Sequence, residues 1–439
     1  MLLRKKFFYV LVSVCLSLLT LTQDNLNAQS YDTLRMMSYN LMYYRETTSF
    51  CTNTNNNPNA KDGYMEDIMD YVNPDLLVVC EMSATQTIAP FNLLNNAINK
   101  NGRNFWFANS SANSFQSIGN MLYFNQDKLE LVSQYAITHD LSNQQLVRNI
   151  DVYRLYYKDS TLASHNDTTF INVVAAHLKA GSNSADELER ADATEAVMAH
   201  LDSINASGNY FFAGDLNLYD SFEPAYQDLV NYVNPAQRFY DPVNIAGNWS
   251  NSPYAILHTQ STHTSGGCFA GGGMDNRFDF ILASDEVMNN TDKVEYLSNT
   301  YTTVGQDGQR YNGSLTSPTN NSAPTNVINA LYGMSDHLPV TLDIKVEIPV
   351  VTSLTKSERK TDYWYNNPVN EVLKINFAED YFKISDIQVY NASGQQMLAL
   401  NQLNSQEVRI QMESFPLGVY FLYIRHADGK QWVEKLIKN

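Results

Sequence analysis

An apolar, aromatic run, Tyr210-Phe211-Phe212-Ala213, breaks off on Gly214-Asp215-Leu216-Asn217, and few local patterns restrict a chain more. Such a run reads as a buried strand whose polar end is presented where the strand stops. Gly214 permits a close backbone approach, while Asp215 and Asn217, two apart on an extended chain, point to one side. A carboxylate and an amide together suit an anionic reaction centre. The first holds a cation or water, and the second donates to a phosphoryl oxygen. In isolation the same residues describe a turn, because Asp and Asn favour turns for reasons of their own.

The rest of the chain repeats the pattern. Residues 33–40 read as a strand ending on Asn40, 62–72 have helical apolar spacing, and 76–80 form a continuous apolar run ending on Glu81. Beyond a helical stretch at 90–99, residues 118–124, 129–137 and 148–157 are strand-like. Residues 170–176 then deliver His177. A helix capped by Ser184, with Glu187 three residues on, returns the chain to the Tyr210 run as a parallel crossover. Residues 277–283 carry Asp279, Ser335-Asp336-His337 ends a further segment, and 338–346 alternate as a last strand. Any one of these polar residues has a structural explanation. Acids, amides and histidines at successive strand ends are how α/β folds assemble sites. The loops 241–273, rich in glycine, and 298–326, polar and read as a mobile insertion, carry no substrate code.

At 439 residues and 44% hydrophobic content the chain can bury a large core in about two or three domains. Residues 1–28, with Arg4, Lys5 and Lys6 before an apolar run, read as a secretory signal peptide; no later run is long enough for stable membrane insertion. Of the three cysteines left, Cys80 ends an apolar strand, so a Cys51–Cys268 bridge is the pairing expected. Formal charge is −17; residues 1–28 hold three of the positive charges and one of the negative, leaving the remainder near −19. That opposes binding of polyanions by counterion release and is compatible with recruitment of a divalent cation.

Together, Ser38-Tyr39-Asn40, the Glu81 strand end, Ala176-His177-Leu178, Gly214-Asp215-Leu216-Asn217, Phe278-Asp279-Phe280-Ile281 and Ser335-Asp336-His337-Leu338-Pro339 resemble the endonuclease/exonuclease/phosphatase superfamily. The resemblance covers residues 31–347, in the family's order, with Cys80 where the family usually places Gln and Ser83 two after the glutamate. It implies an α/β four-layered sandwich, two β-sheets flanked by helices. It also implies Mg²⁺ or Mn²⁺ on Glu81 with Asn40 and Asp336, His337 as general base oriented by Asp279, and Asp215 and Asn217 positioning water and phosphate. His177 would donate to the phosphate or protonate the leaving oxygen. Arg148 is a candidate phosphate contact, or equally a surface-strand arginine.

After a linker at 348–360, residues 361–439 form short alternating strands, a small all-β sandwich. Asn367-Pro368-Val369, Ile387-Gln388-Val389-Tyr390-Asn391 and Phe415-Pro416-Leu417-Gly418-Val419-Tyr420 are similar to a type IX secretion sorting domain, with Asn366 in place of the usual proline. A carbohydrate-binding sandwich would share the fold. The expectation is an exported nuclease acting on nucleic acid and recognised by the type IX machinery. A sphingomyelinase-like or phosphomonoester hydrolase is the alternative on the same machinery, and a surface adhesin the non-catalytic one.

Overall fold

The computed structural model describes residues 30–108, 116–159, 162, 168–348, 363–378, 383–392, 394–427 and 429–439. The expected signal peptide and nearly all of the expected linker lie outside these residues. The chain divides into two compact units, Met1–Val350 and Val351–Asn439.

Among the described residues thirteen strands build the first unit: β1 (Ser30–Tyr44), β2 (Leu76–Ser83), β3 (Phe105–Ala108), β4 (Ile118–Asn125), β5 (Leu129–His139), β6 (Gln145–Tyr157), β7 (Phe170–His177), β8 (Tyr210–Asp215), β9 (Phe239–Tyr240), β10 (Asp279–Ser284), β11 (Val294–Tyr296), β12 (Thr302–Thr303) and β13 (Val340–Ile348). One sheet runs β11-β13-β1-β2-β4-β3, with β12 on β13; the other runs β5-β6-β7-β8-β10-β9. β1–β2 and β7–β8 are parallel, each joined through a helix, and the other pairs are antiparallel.

Side-chain alternation explains why β1, β2, β7 and β8 read as unbroken apolar runs. Leu34, Met36, Leu76 and Val78 face the second sheet and meet Val173, Phe211, Ala213 and Ile281. Their neighbours Met37, Tyr39, Leu77 and Val79 face outward onto the helices Pro58–Val72 and Thr325–Met334 through Met65, Ile68, Ile328 and Leu331. Val174, Phe212 and Leu282 likewise face Val197, Met198 and Leu201 of the helix Ser184–Ser203. Strands covered on both faces have no solvent side to mark with polar residues. The result is the four-layered arrangement of two sheets between helices.

Three local expectations are corrected. Asn183, not Ser184, caps the long helix, its side chain accepting from Ala185 N and Asp186 N. Residues 298–326 are built into the fold. Arg310 is buried against Asp307 at 2.6 Å, Asn320 donates to the Gly305 and Leu315 carbonyls, and Leu315 lies in the core. Polar residues that satisfy one another inside a loop look, in sequence, like residues that meet water. Ser335-Asp336-His337 does not end a strand; it forms the turn from the helix Thr325–Met334 into β13.

The second unit contains β14 (Tyr363–Tyr365), β15 (Val372–Phe377), β16 (Lys383–Asn391), β17 (Gln396–Asn404), β18 (Glu407–Gln411), β19 (Gly418–His426) and β20 (Gln431–Lys438). They form a β14-β15-β18 sheet and a β17-β16-β19-β20 sheet over a shared core that includes Leu373, Ile375, Ile387, Leu422 and Leu436. Among the described residues no helix is long and apolar enough to cross a membrane.

Gly214 pairs with Ala176 across the two parallel strands of the second sheet. Its φ is +146°, and a Cβ there would stand 1.8 Å from the Ala176 carbonyl oxygen on β7. Gly214→Ala is therefore expected to cost about 2–4 kcal/mol by forcing β7 and β8 apart. Urea unfolding reads the loss, and a change below about 1 kcal/mol would show that the strands spread freely.

Candidate active site

The ends of β1, β2, β7 and β8 lie at one edge of the sandwich, and both sheets contribute to a single polar cluster there. Bulges aim the first sheet's residues. The β1–β2 register shifts between Asn40 and Tyr44, the β2–β4 register shifts around Glu81, and Met42, Tyr43 and Glu81 all have positive φ. Tyr43 N then donates to Glu81 Oε2 at 2.9 Å. Asn40 Nδ2 donates to Glu81 Oε1 at 3.0 Å and to Asp215 Oδ2 at 2.9 Å, so one amide joins a carboxylate from each sheet. Its Oδ1 accepts from Met42 N, which fixes which way the amide faces.

His177, at the end of β7, stands with Nε2 3.4 Å from Asp215 Oδ2 and 3.9 Å from Glu81 Oε1. His337 Nδ1 donates to Asp279 Oδ2 at 2.7 Å, and its Nε2 lies 3.6 Å from Asp215 Oδ2. Ser335 Oγ fastens this turn to β1 by donating to the Asn40 carbonyl at 2.7 Å, and it accepts from His337 N.

Asn40, Glu81, His177, Asp215, Asp279 and His337 thus form one group. The remaining expected residues flank it. Asn217 N donates to Asp215 Oδ1, but its side chain donates to the Leu178 carbonyl, as does Arg148 at 2.6 Å. Asp336 Oδ2 accepts from Ala270 N at 2.8 Å in the glycine-rich loop. Cys51 and Cys268 are bonded as expected, tying that loop to the one after β1, and Cys80 is free and buried.

Charge in the group is unbalanced. Burial pushes the Asp215 carboxyl up to about 7; His337 and Asn40 oppose this, while Asp279 and Glu81 add to it. Burial works to lower His337, but the charges of Asp279 and Asp215 overcome it and hold the ring well above the usual histidine value. His177 is driven well below that value by burial, then by Arg148 and His337, so its ring is neutral. Donor atoms of Glu81, His177 and Asp215 all lie within 4.8 Å of one another. Two carboxylates short of positive charge beside a neutral imidazole are a donor set that fits a hard divalent cation. The expected ligand set of Glu81, Asn40 and Asp336 is not what the geometry gathers. Asn40 meets the carboxylates as a donor, and Asp336 is engaged elsewhere.

Two further residues escape sequence reasoning. Lys61, fully buried in the helix Pro58–Val72, donates from Nζ to the Leu41 and Met42 carbonyls at 2.8 and 2.6 Å. Burial takes it down to about 7 against the pull of Asp336 and Glu81. Gln260 Nε2 stands 2.7 Å from His337 Nε2. Neither has a sequence signal: a lysine in the first turns of a helix and a glutamine in a loop both read as solvated.

Asp215 titrates in the folded chain above its ordinary 3.8, so between the two values the folded state binds more protons and stability falls as pH rises. His337, also raised, contributes with the same sign. His177 and Lys61, both lowered, contribute with the opposite sign, so the readout is the effect of the cation itself: Mg²⁺ should stabilise the protein to urea more at about pH 8, where Asp215 is ionised, than at about pH 5. An equal Mg²⁺ effect at the two pH values, or none, would contradict the charge imbalance.

Residues 364–439 match the model of a secretion system C-terminal sorting domain. No curated protein matches the chain. Among solved structures it is similar to an endonuclease/exonuclease/phosphatase from Bacteroides vulgatus, at 15% identity over 72% of this chain and 100% of that one, with a TM-score of 0.47. The human Nocturnin catalytic domain with bound sulfate is similar at 16% identity over 72% and 97%, TM-score 0.45. TDP2 of D. rerio, complexed with a single-strand DNA product, is similar at 12% over 71% and 99%, TM-score 0.44. Identities this low leave the chemistry to be read from the chain itself. A sorting domain occupies residues 364–439, and endonuclease/exonuclease/phosphatase structures are neighbours of the chain.

Proposed function

We propose that this chain is an exported, divalent-metal-dependent phosphodiesterase that hydrolyses nucleic acid. The observation that carries the reading is the Asp279–His337 pair directed at a cluster of Glu81, Asp215 and His177 that one amide, Asn40, holds together. Glu81 and Asp215 would hold Mg²⁺ or Mn²⁺, with His177 within reach. When bound, the cation supplies compensation for the phosphoryl and leaving oxygens.

The chain's own residues do the rest. Asp279 occupies Nδ1 of His337, which leaves Nε2 as the nitrogen that takes the proton of the attacking water. Asp215, 3.6 Å from that nitrogen, orients the water between them. His177 is held neutral, so it has an N–H to donate to a phosphoryl oxygen but no surplus proton for a leaving group. This favours the first of its two expected roles. Asn217 and Arg148, both donating to the Leu178 carbonyl, would border the phosphate.

The acidity of the chain, −17 overall, favours the alternative of a smaller phosphoester, such as a lipid headgroup or phosphomonoester, because a polyanion is repelled until local charge is neutralised. Hydrolysis of DNA, RNA, sphingomyelin and inositol phosphates with Mg²⁺ or Mn²⁺ separates these. Turnover of sphingomyelin with none of either nucleic acid would replace the nuclease reading. With bis-p-nitrophenyl phosphate, Glu81→Gln should abolish chelator-sensitive turnover, and His337→Ala should lower it about a hundredfold to ten-thousandfold. Wild-type rates in both variants would end the proposal.

The sorting domain also supports passage across the outer membrane through the type IX machinery, after a signal peptide at residues 1–28. Deleting residues 361–439 should leave active enzyme in the periplasm, and normal release of the shortened chain would remove this part of the reading.

A further inference from the structure

The nitrogen on which the proposed mechanism turns is not open. The His337 side chain is 4% exposed, Asp279 takes its Nδ1, and the carboxamide of Gln260 lies on its Nε2 at 2.7 Å. This contact is built in by the backbone. Residues 259–262 run antiparallel to 336–338, with Leu338 N donating to Thr259 O and Thr262 N donating to Asp336 O, so Gln260 and His337 are directly opposed. Opposed residues of an antiparallel pair bring their side chains into contact. On its other side, Gln260 N donates to Asn276 O, and its carbonyl accepts from Asp275 N and Asn276 N.

The main chain of Gln260 is therefore fixed from both flanks, while its side chain is only half-buried. Its χ1 and χ2 torsions have alternative staggered wells, so the carboxamide can leave the ring without disturbing the ladder. While it stays, the carboxamide covers the nitrogen that must accept a proton, and the imidazole is pinned at both nitrogens.

We propose that Gln260 is a cap on the base: a positioning residue that fixes the His337 ring from the Nε2 side in the resting protein and swings off that nitrogen when the phosphoester enters. The inference rests on reading His337 as the base. It adds that the active site is self-closed, by one side chain whose removal exposes the reacting atom.

The test uses the full chain and two readouts. Diethyl pyrocarbonate modifies exposed imidazole nitrogens, and the rate at His337 can be followed peptide by peptide by mass spectrometry. Gln260→Ala should react severalfold faster there than wild type, whereas Gln260→Met, which fills the space without donating, should stay slow. Gln260→Ala, with no cap to displace, should also bind bis-p-nitrophenyl phosphate with a KM severalfold lower than wild type, since the closed resting state lowers apparent affinity. Modification of Gln260→Ala at the wild-type rate, or an unchanged KM in that variant, overturns the cap. Failure of the base reading shows differently, as wild-type turnover by His337→Ala, and leaves the carbethoxylation comparison to report on the cap alone.

Discussion

One carboxamide joins the two halves of the site. Asn40, on the first sheet, spends both amide protons on carboxylates, Glu81 of its own sheet and Asp215 of the other. Without a donor between them these acids would face each other, buried, across the seam of the sandwich, a repulsion worth several kcal/mol in a low-dielectric setting. Everything around Asn40 serves its orientation. Met42 N holds its oxygen, Ser335 holds its carbonyl, and the bulge after it carries the Tyr43 N–H to Glu81.

That bulge has a cost. Met42 and Tyr43 have φ of +44° and +48°, a region side chains avoid. Two carbonyls, Leu41 and Met42, are turned inward by it, and Lys61 reaches them with a buried ammonium. Desolvating that ammonium is itself expensive, offset by the two carbonyls and by the negative field of Asp336 and Glu81. The Lys61 amine behind the site thus serves two ends: it locks the bend through the two carbonyls, and in its protonated form it tempers the acid cluster without occupying a position at the reacting edge.

The sequence showed the strand ends plainly. Asp215, Glu81 and His177 each stop an apolar run, and runs with both faces buried announce themselves. The meeting of Asp279 with His337 was legible only through the resemblance, because β10 and the turn before β13 are 58 residues apart and nothing local links them. Directions within the site were not legible. Whether Asp336 points at the cluster or at Ala270 depends on where a glycine-rich loop closes, and a string of glycines states freedom rather than shape. The helix Thr325–Met334 was hidden for a related reason: it follows Pro324 with no side-chain cap and emerges from a loop whose polar residues bond to each other.

The Ser335–Asn40 hydrogen bond spans 295 residues, and β1 lies between β2 and β13, nearly the first and the last strands of the unit. Pairing across such a separation forms slowly and only after the intervening chain exists. On a ribosome, β1 therefore spends most of synthesis with one edge bare and its asparagine unsupported. A growing chain of this topology does not gather the Asn40-centred cluster until β13 arrives, so every chain that stops short of that strand lacks it, however much of the rest has folded.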